Sequence, residues 1–188
     1  MIKILKINEM CKGKFLRLKE VFFDYKGKRR RWEVCNSMDS VSVLLFDKDK
    51  DALILVKQFR LPVYLKNGNG FTYELCAGIC DKNMPEISIA KEEILEETGY
   101  EVKESDIEKI TQTWASVGSS GAKQTIFYAE VSQKLKISKG GGIDDEDIEI
   151  YELPVDKIEE FVFDETKAKT AGAVFALTWW LKTKKGEK

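Results

Sequence analysis

Two apolar runs set the terms for any fold this chain can adopt. Val41 to Phe46 and Ala52 to Phe59 are each of strand length, and the charged stretch Asp47-Lys48-Asp49-Lys50-Asp51 divides them. Near-continuous apolar strands around a short polar turn predict a hairpin with at least one buried strand. The rest of the chain has to supply the cover.

The flanking sequence supplies strands and helices in an irregular order. Before the runs, Phe15 to Phe22 and Arg31 to Cys35 are predicted strands around a Tyr25-Lys26-Gly27-Lys28 turn, so residues 1–38 form a candidate N-terminal β segment. After them, Lys66-Asn67-Gly68-Asn69-Gly70 reads as a loop and Phe71 to Cys76 as a strand. A loop from Gly78 to Pro85 leads into a helix. Pro85 suits the first turn, Ile87, Ala90 and Ile94 make an apolar stripe, and Gly99 is the stop. Strands are predicted again near Ile107 to Ala115, Thr125 to Val131 and Ile148 to Leu153, then helices over Val155 to Phe163 and Ala168 to Lys182. The last carries Val174, Phe175, Leu177, Trp179 and Trp180, apolar enough to pack on a sheet. This order predicts a mixed α+β sandwich over residues 39–188; regular βα alternation is missing, which argues against a dinucleotide-binding sheet.

Composition narrows the chemistry. The 188 residues are 43% hydrophobic, enough for one sizeable core, and the net charge is only −1. A nucleic-acid binder would show a basic excess; Lys26, Lys28, Arg29, Arg30 and Arg31 are read instead as the charged start of a strand. No apolar stretch is long enough to cross a bilayer, and the first residues lack a signal-peptide apolar block, so a cytoplasmic location is expected. Cys11, Cys35, Cys76 and Cys80 are scattered, which suits reduced thiols. There is no histidine, which removes every Ser-His or Cys-His nucleophile and makes a structural zinc site a poor reading. Catalysis here falls to carboxylates, lysines, arginines, hydroxyls or metal.

One helix concentrates carboxylates. Glu93, Glu96 and Glu97 are three and four apart, so an α-helix would project them from one face, where like charges repel. Two readings stand on this pattern alone: a solvent-facing acidic helix, or a site for a hard divalent cation that prefers oxygen ligands. Ala77-Gly78, just after a strand, can present backbone groups to a ligand. Downstream, Asp144-Asp145-Glu146-Asp147 follows Gly140-Gly141-Gly142, either as a polar surface loop or as a source of a further ligand or general base.

From Gly78 to Tyr100 the chain resembles the Nudix box, Gly-x5-Glu-x7-Arg-Glu-U-x-Glu-Glu-x-Gly-U, with U a bulky aliphatic residue. Gly78, Glu93, Ile94, Glu96, Glu97 and Gly99 are in register and Tyr100 holds the last position. Val41 to Phe46, Leu55 to Arg60, Tyr73 to Gly78 and Gln124 to Tyr128 are similar to the nucleotide-sugar pyrophosphatase branch of the Nudix hydrolases. Met84 departs from the pattern where the box has its first glutamate, and Glu92 where it has arginine; Lys91 is the neighbouring candidate to compensate.

The resemblance implies an α/β/α sandwich with a mixed sheet behind a small N-terminal β subdomain, the latter exchanging across a homodimer. It implies that Glu93 and Glu97 ligate Mg2+ or Mn2+, with the Ala77 carbonyl contributing and Glu96 supporting. Glu146, then Asp144, is expected to be the base or a further ligand, and Arg60, Glu74 and Gly78 are expected beside the substrate. That substrate is expected to be a nucleoside diphosphate sugar, with UDP-glucose first, giving UMP and glucose 1-phosphate. ADP-ribose is the alternative, weakened because Ala115 to Gly121 lacks the proline those relatives show. A sensor that binds nucleotide sugars without cleaving them is the reading of another class, supported by Met84 and Glu92. Neither nucleic acid nor membrane is an expected partner.

Overall fold

The computed structural model describes residues 13, 16–143 and 146–184; the readings of Cys11, Phe15 and Asp144 lie outside these. In chain order the elements are β1 (Arg17–Tyr25), β2 (Lys28–Asn36), β3 (Ser40–Asp47), β4 (Ala52–Phe59), α1 (Leu61–Asn67), β5 (Phe71–Glu74), β6 (Cys76–Ile79) and α2 (Glu86–Glu93). After a π-helical turn over Ile94–Thr98 come β7 (Ile107–Ala115), β8 (Ala122–Val131), β9 (Ile148–Pro154), α3 (Ile158–Phe163) and α4 (Ala171–Thr183).

The two apolar runs form the hairpin their pattern predicts, but only at its closed end. β3 and β4 pair at Leu45 with Ile54, Phe46 with Leu53 and Asp47 with Ala52, and then part. Residues 71–79 fill the gap. β5 pairs with the half of β4 far from the turn, from Val56 with Glu74 to Phe59 with Phe71, while β6 pairs with the half of β3 far from the turn, from Ser40 with Ile79 to Val43 with Cys76. β8 lies parallel to β3, and β7 and β9 add antiparallel to β8 and β4. The seven strands make one mixed sheet.

Period-two alternation sends the strand residues to opposite faces. Val41, Val43, Leu45, Ile54 and Val56 pack with Ile89, Ala90 and Ile94 of the glutamate helix. Leu44, Phe46, Leu53 and Leu55 pack on the other side with Ile158, Phe161, Ala173, Ala176, Leu177 and Trp180. The stripe Ala173, Ala176, Leu177, Trp180 on α4 has helical spacing, and Thr170 caps the helix by accepting from the Ala173 N–H at 3.3 Å. Helices on both faces of a mixed sheet make the expected α/β/α sandwich. Each fully buried Leu, Ile or Val contributes about 1.5–3 kcal/mol.

Two local readings are corrected. Residues 66 and 67 belong to α1, a seven-residue helix with no buried side chain, closed by Gly68 at φ 72°. Gly78 lies inside β6 and does not open a loop.

A buried carboxylate ties the end of the glutamate helix to the hairpin. Asp47 is fully buried and accepts from the Tyr100 hydroxyl at 2.8 Å, the Gln133 amide at 2.5 Å and the Asp49 N–H at 3.0 Å. A buried charge is tolerable when donors surround it this way.

β1 and β2 stand apart as a two-stranded sheet, joined by Lys26 (φ 53°) and Gly27 (φ 72°), the positive-φ pair a tight hairpin turn requires. Its Leu18, Phe22 and Trp32 are exposed. It touches the main sheet's β7–β8 turn, where Trp32 Nε1 donates to Gly118 O at 3.0 Å and Cys35 N–H to Ser119 O at 2.7 Å. Among the described residues no helix is long and apolar enough to cross a membrane.

Candidate active site

The split between β3 and β4 creates the site, because the wedged strand brings its own residues under the end of the glutamate helix. A cleft of about 370 Å³ is lined there by Ser40, Gln58, Arg60, Glu74, Ala77 and Gly78, together with Ile79, Glu93, Glu97, Gln124 and Glu146. Seven residues singled out in the sequence therefore meet at one place: Arg60, Glu74, Ala77, Gly78, Glu93, Glu97 and Glu146. Glu96 is half-buried and does not line the cleft. A spacing of three and four puts all three acids on one face only in a regular α-helix; here the backbone widens to i→i+5 bonding after Glu93, which changes the face on which Glu96 and Glu97 fall.

Close approach of backbone and side chain explains two of the glycine positions. A Cβ on Gly78 would sit 2.0 Å from Glu93 Oε1, so only glycine lets that carboxylate lie on the strand. At the helix end Gly99 adopts φ 77° and its N–H donates to Leu95 O at 2.9 Å. Two further carbonyls are taken up by the glycine strap, where Gly141 N–H donates to Glu97 O at 2.8 Å and Gly142 N–H to Glu96 O at 3.1 Å, and Thr98 O accepts from Lys136 Nζ at 2.9 Å. A Cβ on Gly140 would sit 2.4 Å from Glu97 O. The segment carrying Glu146 is thus stitched to the backbone of the glutamates it faces.

Burial and mutual repulsion dominate the electrostatics. Glu97 is 3% exposed and accepts from the Ala77 N–H at 3.1 Å. Burial, only partly offset by the Cys76 thiol and this amide, pushes its carboxyl up to about 8. Burial, then the neighbouring Glu96 and Glu146, raises Glu93 to about 7. The Cys76 thiol, fully buried and facing these acids, is pushed well above its ordinary value. Across the cleft Glu74 is mostly buried, but Arg60 and Thr72 hold its carboxyl below the usual range against that burial. Arg60 grips it in two places, Nε to Oε1 and Nη2 to Oε2, both at 2.8 Å. Glu74 therefore fixes the direction in which Arg60 points, and Arg60 brings positive charge to a cleft otherwise rich in carboxylates.

These oxygens suit a divalent ion by chemistry: all are hard donors, and the charge that Glu93 and Glu97 take on when ionised meets little in the protein that neutralises it. Among the described residues, no three acidic or thiol side chains close into a finished metal cage.

Ser40, Gln58, Ile79 and Gln124 were not singled out in the sequence as site residues. Gln58 and Gln124 interrupt apolar strands with amides that have no place in a core, a signal that was legible. Ser40 and Ile79 enter through pairing, since Ser40 lies opposite both Ile79 and Gln124.

Fold and cleft together define an acid-lined site for a charged, oxygen-rich ligand, built where a sandwich's central sheet divides. The chain is 35% identical to the uridine diphosphate glucose pyrophosphatase of Bos taurus, over 82% of each sequence. It is 30% identical to the protein of the same name from Mus musculus, over 88% of each. It is 40% identical to the GDP-mannose pyrophosphatase of Pectobacterium atrosepticum, over 73% of this chain and 72% of the other. No family model matches the chain. The chain belongs to the Nudix nucleotide-sugar pyrophosphatases, which are hydrolases of phosphoric anhydride bonds.

Proposed function

We propose that this protein hydrolyses the pyrophosphate bond of UDP-glucose, giving UMP and glucose 1-phosphate, with magnesium or manganese held by Glu93 and Glu97. The observation that carries the reading is the gathering of Glu93, Glu97, Glu146 and Arg60 around one cleft. An anionic diphosphate repels an attacking water until its charge is offset. When bound, the metal would supply charge neutralisation and Lewis acidity. Glu93 and Glu97 would hold it, with Glu96 adding negative charge behind Glu93, and the Ala77 carbonyl is proposed as a further ligand. Arg60, aimed by Glu74, binds a phosphate oxygen through its remaining N–H groups. Gly78, which lines the same cleft, is proposed to face the diphosphate, its missing side chain leaving room for the Glu93 carboxylate.

Glu146 is the proposed general base, with Asp144 next to consider. It takes a proton from water as the water oxygen attacks one phosphorus, and the bond from that phosphorus to the bridging oxygen breaks. Its carboxylate is steadied by the Ile143 N–H, which donates to Oε2 at 3.2 Å. No histidine is needed in this scheme.

The bovine and murine relatives favour UDP-glucose; the GDP-mannose pyrophosphatase, more identical over a shorter span, supports a second reading in which the base is guanine and the sugar mannose. Product release from UDP-glucose, GDP-mannose and ADP-ribose, each with magnesium and with manganese, tests the proposal. UDP-glucose is expected to show the highest kcat/KM, by at least about tenfold. A higher value for GDP-mannose or ADP-ribose defeats the UDP-glucose assignment, and turnover of none of them defeats the proposal entirely.

A homodimer joined through the N-terminal hairpin is proposed on its exposed Leu18, Phe22 and Trp32, because a lone two-stranded sheet is marginal in water. Light scattering at micromolar concentration is expected to give twice the chain mass, and Phe22→Glu to shift the protein toward monomer. A wild-type protein of single-chain mass rules the dimer out.

A further inference from the structure

The glutamate helix bears Glu92, Glu93, Glu96 and Glu97, and among the described residues a lysine from outside the helix forms an ion pair with one of them. Lys82, on the loop between β6 and α2, places Nζ 2.5 Å from Glu92 Oε2. The adjacent Lys91 lines a cleft on the side of the helix away from Glu93, together with Glu92, Glu101 and Glu104, but no ion pair to it is formed among the described residues, and the partner of Glu92 is Lys82. Lys82 and Glu92 are half-exposed, so the pair adds little to folding stability. Its significance lies in charge. Glu92 directly precedes Glu93 on the helix, so the charge of this pair is carried beside the cleft that Glu93 lines.

We infer that Lys82 is a tuning residue of the site, cancelling Glu92 so that an incoming cation meets the pull of the cleft glutamates without that of a further carboxylate. The inference rests on the proposal that Glu93 and Glu97 hold a divalent ion. Its logic gives opposite signs for the two partners. Removing Lys82 leaves Glu92 uncancelled, which attracts a cation more strongly and repels an anionic diphosphate. Removing Glu92 leaves Lys82 uncancelled, which does the reverse. A pair that merely holds the loop in place would weaken both kinds of binding, whichever partner was lost.

The test is a double-mutant cycle read by calorimetric binding of Mn2+ alone, without substrate, alongside KM for UDP-glucose. Lys82→Met is expected to bind Mn2+ about threefold tighter and to raise KM about threefold. Glu92→Gln is expected to bind Mn2+ about threefold more weakly. The double variant Lys82→Met/Glu92→Gln, neutral at both positions, should return to within about twofold of wild type, and all differences should shrink in high salt. Single variants that match wild type, or that shift Mn2+ affinity in the same direction, overturn the inference while leaving the metal site intact. If wild-type protein binds no Mn2+ at all, the metal reading itself fails and this inference falls with it.

Discussion

Glu97→Gln is expected to lower kcat/KM by about three orders of magnitude with saturating magnesium, corresponding to roughly 4 kcal/mol of transition-state stabilisation. The substitution is nearly isosteric, and the glutamine carbonyl can still accept from the Ala77 N–H that Glu97 now engages at 3.1 Å. What it removes is the charge. A glutamate 3% exposed and pushed up to about 8 is costly to keep ionised, and the fold gives it few donors to ease that cost. Such an expense is intelligible when a cation completes the neutralisation. The same variant should therefore be more stable than wild type in metal-free buffer above pH 8, while losing its response to magnesium. Glu96→Gln supplies the contrast, since Glu96 lies off the cleft lining. Its loss should cost about tenfold, through the weakened field behind Glu93. Steady-state kinetics of the two variants decide the matter: a Glu97→Gln enzyme within tenfold of wild type is incompatible with the proposed role.

The sequence made the apolar architecture legible and left the register hidden. Val41 to Phe46 and Ala52 to Phe59 declare buried strands by composition, yet nothing in their alternation says that they separate after Leu45 and Ile54. That split depends on residues 71–79 competing for both strands, a tertiary effect that local patterning does not encode. The stop at Gly99 was readable, but the π-helical turn before it was not, because Ile94–Thr98 would suit an α-helix equally well. This one irregularity decides whether Glu96 or Glu97 faces the cleft. The candidate acids and Arg60 were legible because motif spacing constrains them. Lys82 as partner of Glu92 was not: it lies ten positions away on a loop, where sequence distance says little about contact.

Metal-free protein is expected to lose stability as pH rises from about 5 to above 8, opposite to the trend of an acid-sensitive protein. The sign follows from proton binding. Glu93 at about 7 and Glu97 at about 8 hold their protons in the folded state well above 4.5, their ordinary value, whereas the unfolded chain has released them. Between these limits the folded state binds more protons, so their contribution is complete below about pH 4.5 and is lost as pH climbs through 7 and 8. The lowered acids Asp39, Glu74 and Asp164 do not blur this window, because what they contribute is lost only in acid. Tyr100 and Tyr128, both raised, act only in strong alkali. The loss should be on the order of 3–5 kcal/mol, or about 10 °C in Tm for a chain of this size. Magnesium binds the ionised carboxylates and competes with protons, so its stabilisation should be small at pH 6 and grow toward pH 8.5. Thermal melts with chelator and with magnesium across this range provide the measurement, with Glu93→Gln/Glu97→Gln as a control expected to show neither trend. A metal-free Tm that stays level or rises from pH 5 to 8.5 would show that these two carboxylates are not held protonated in the fold, and would remove the electrostatic reason for placing a cation between them.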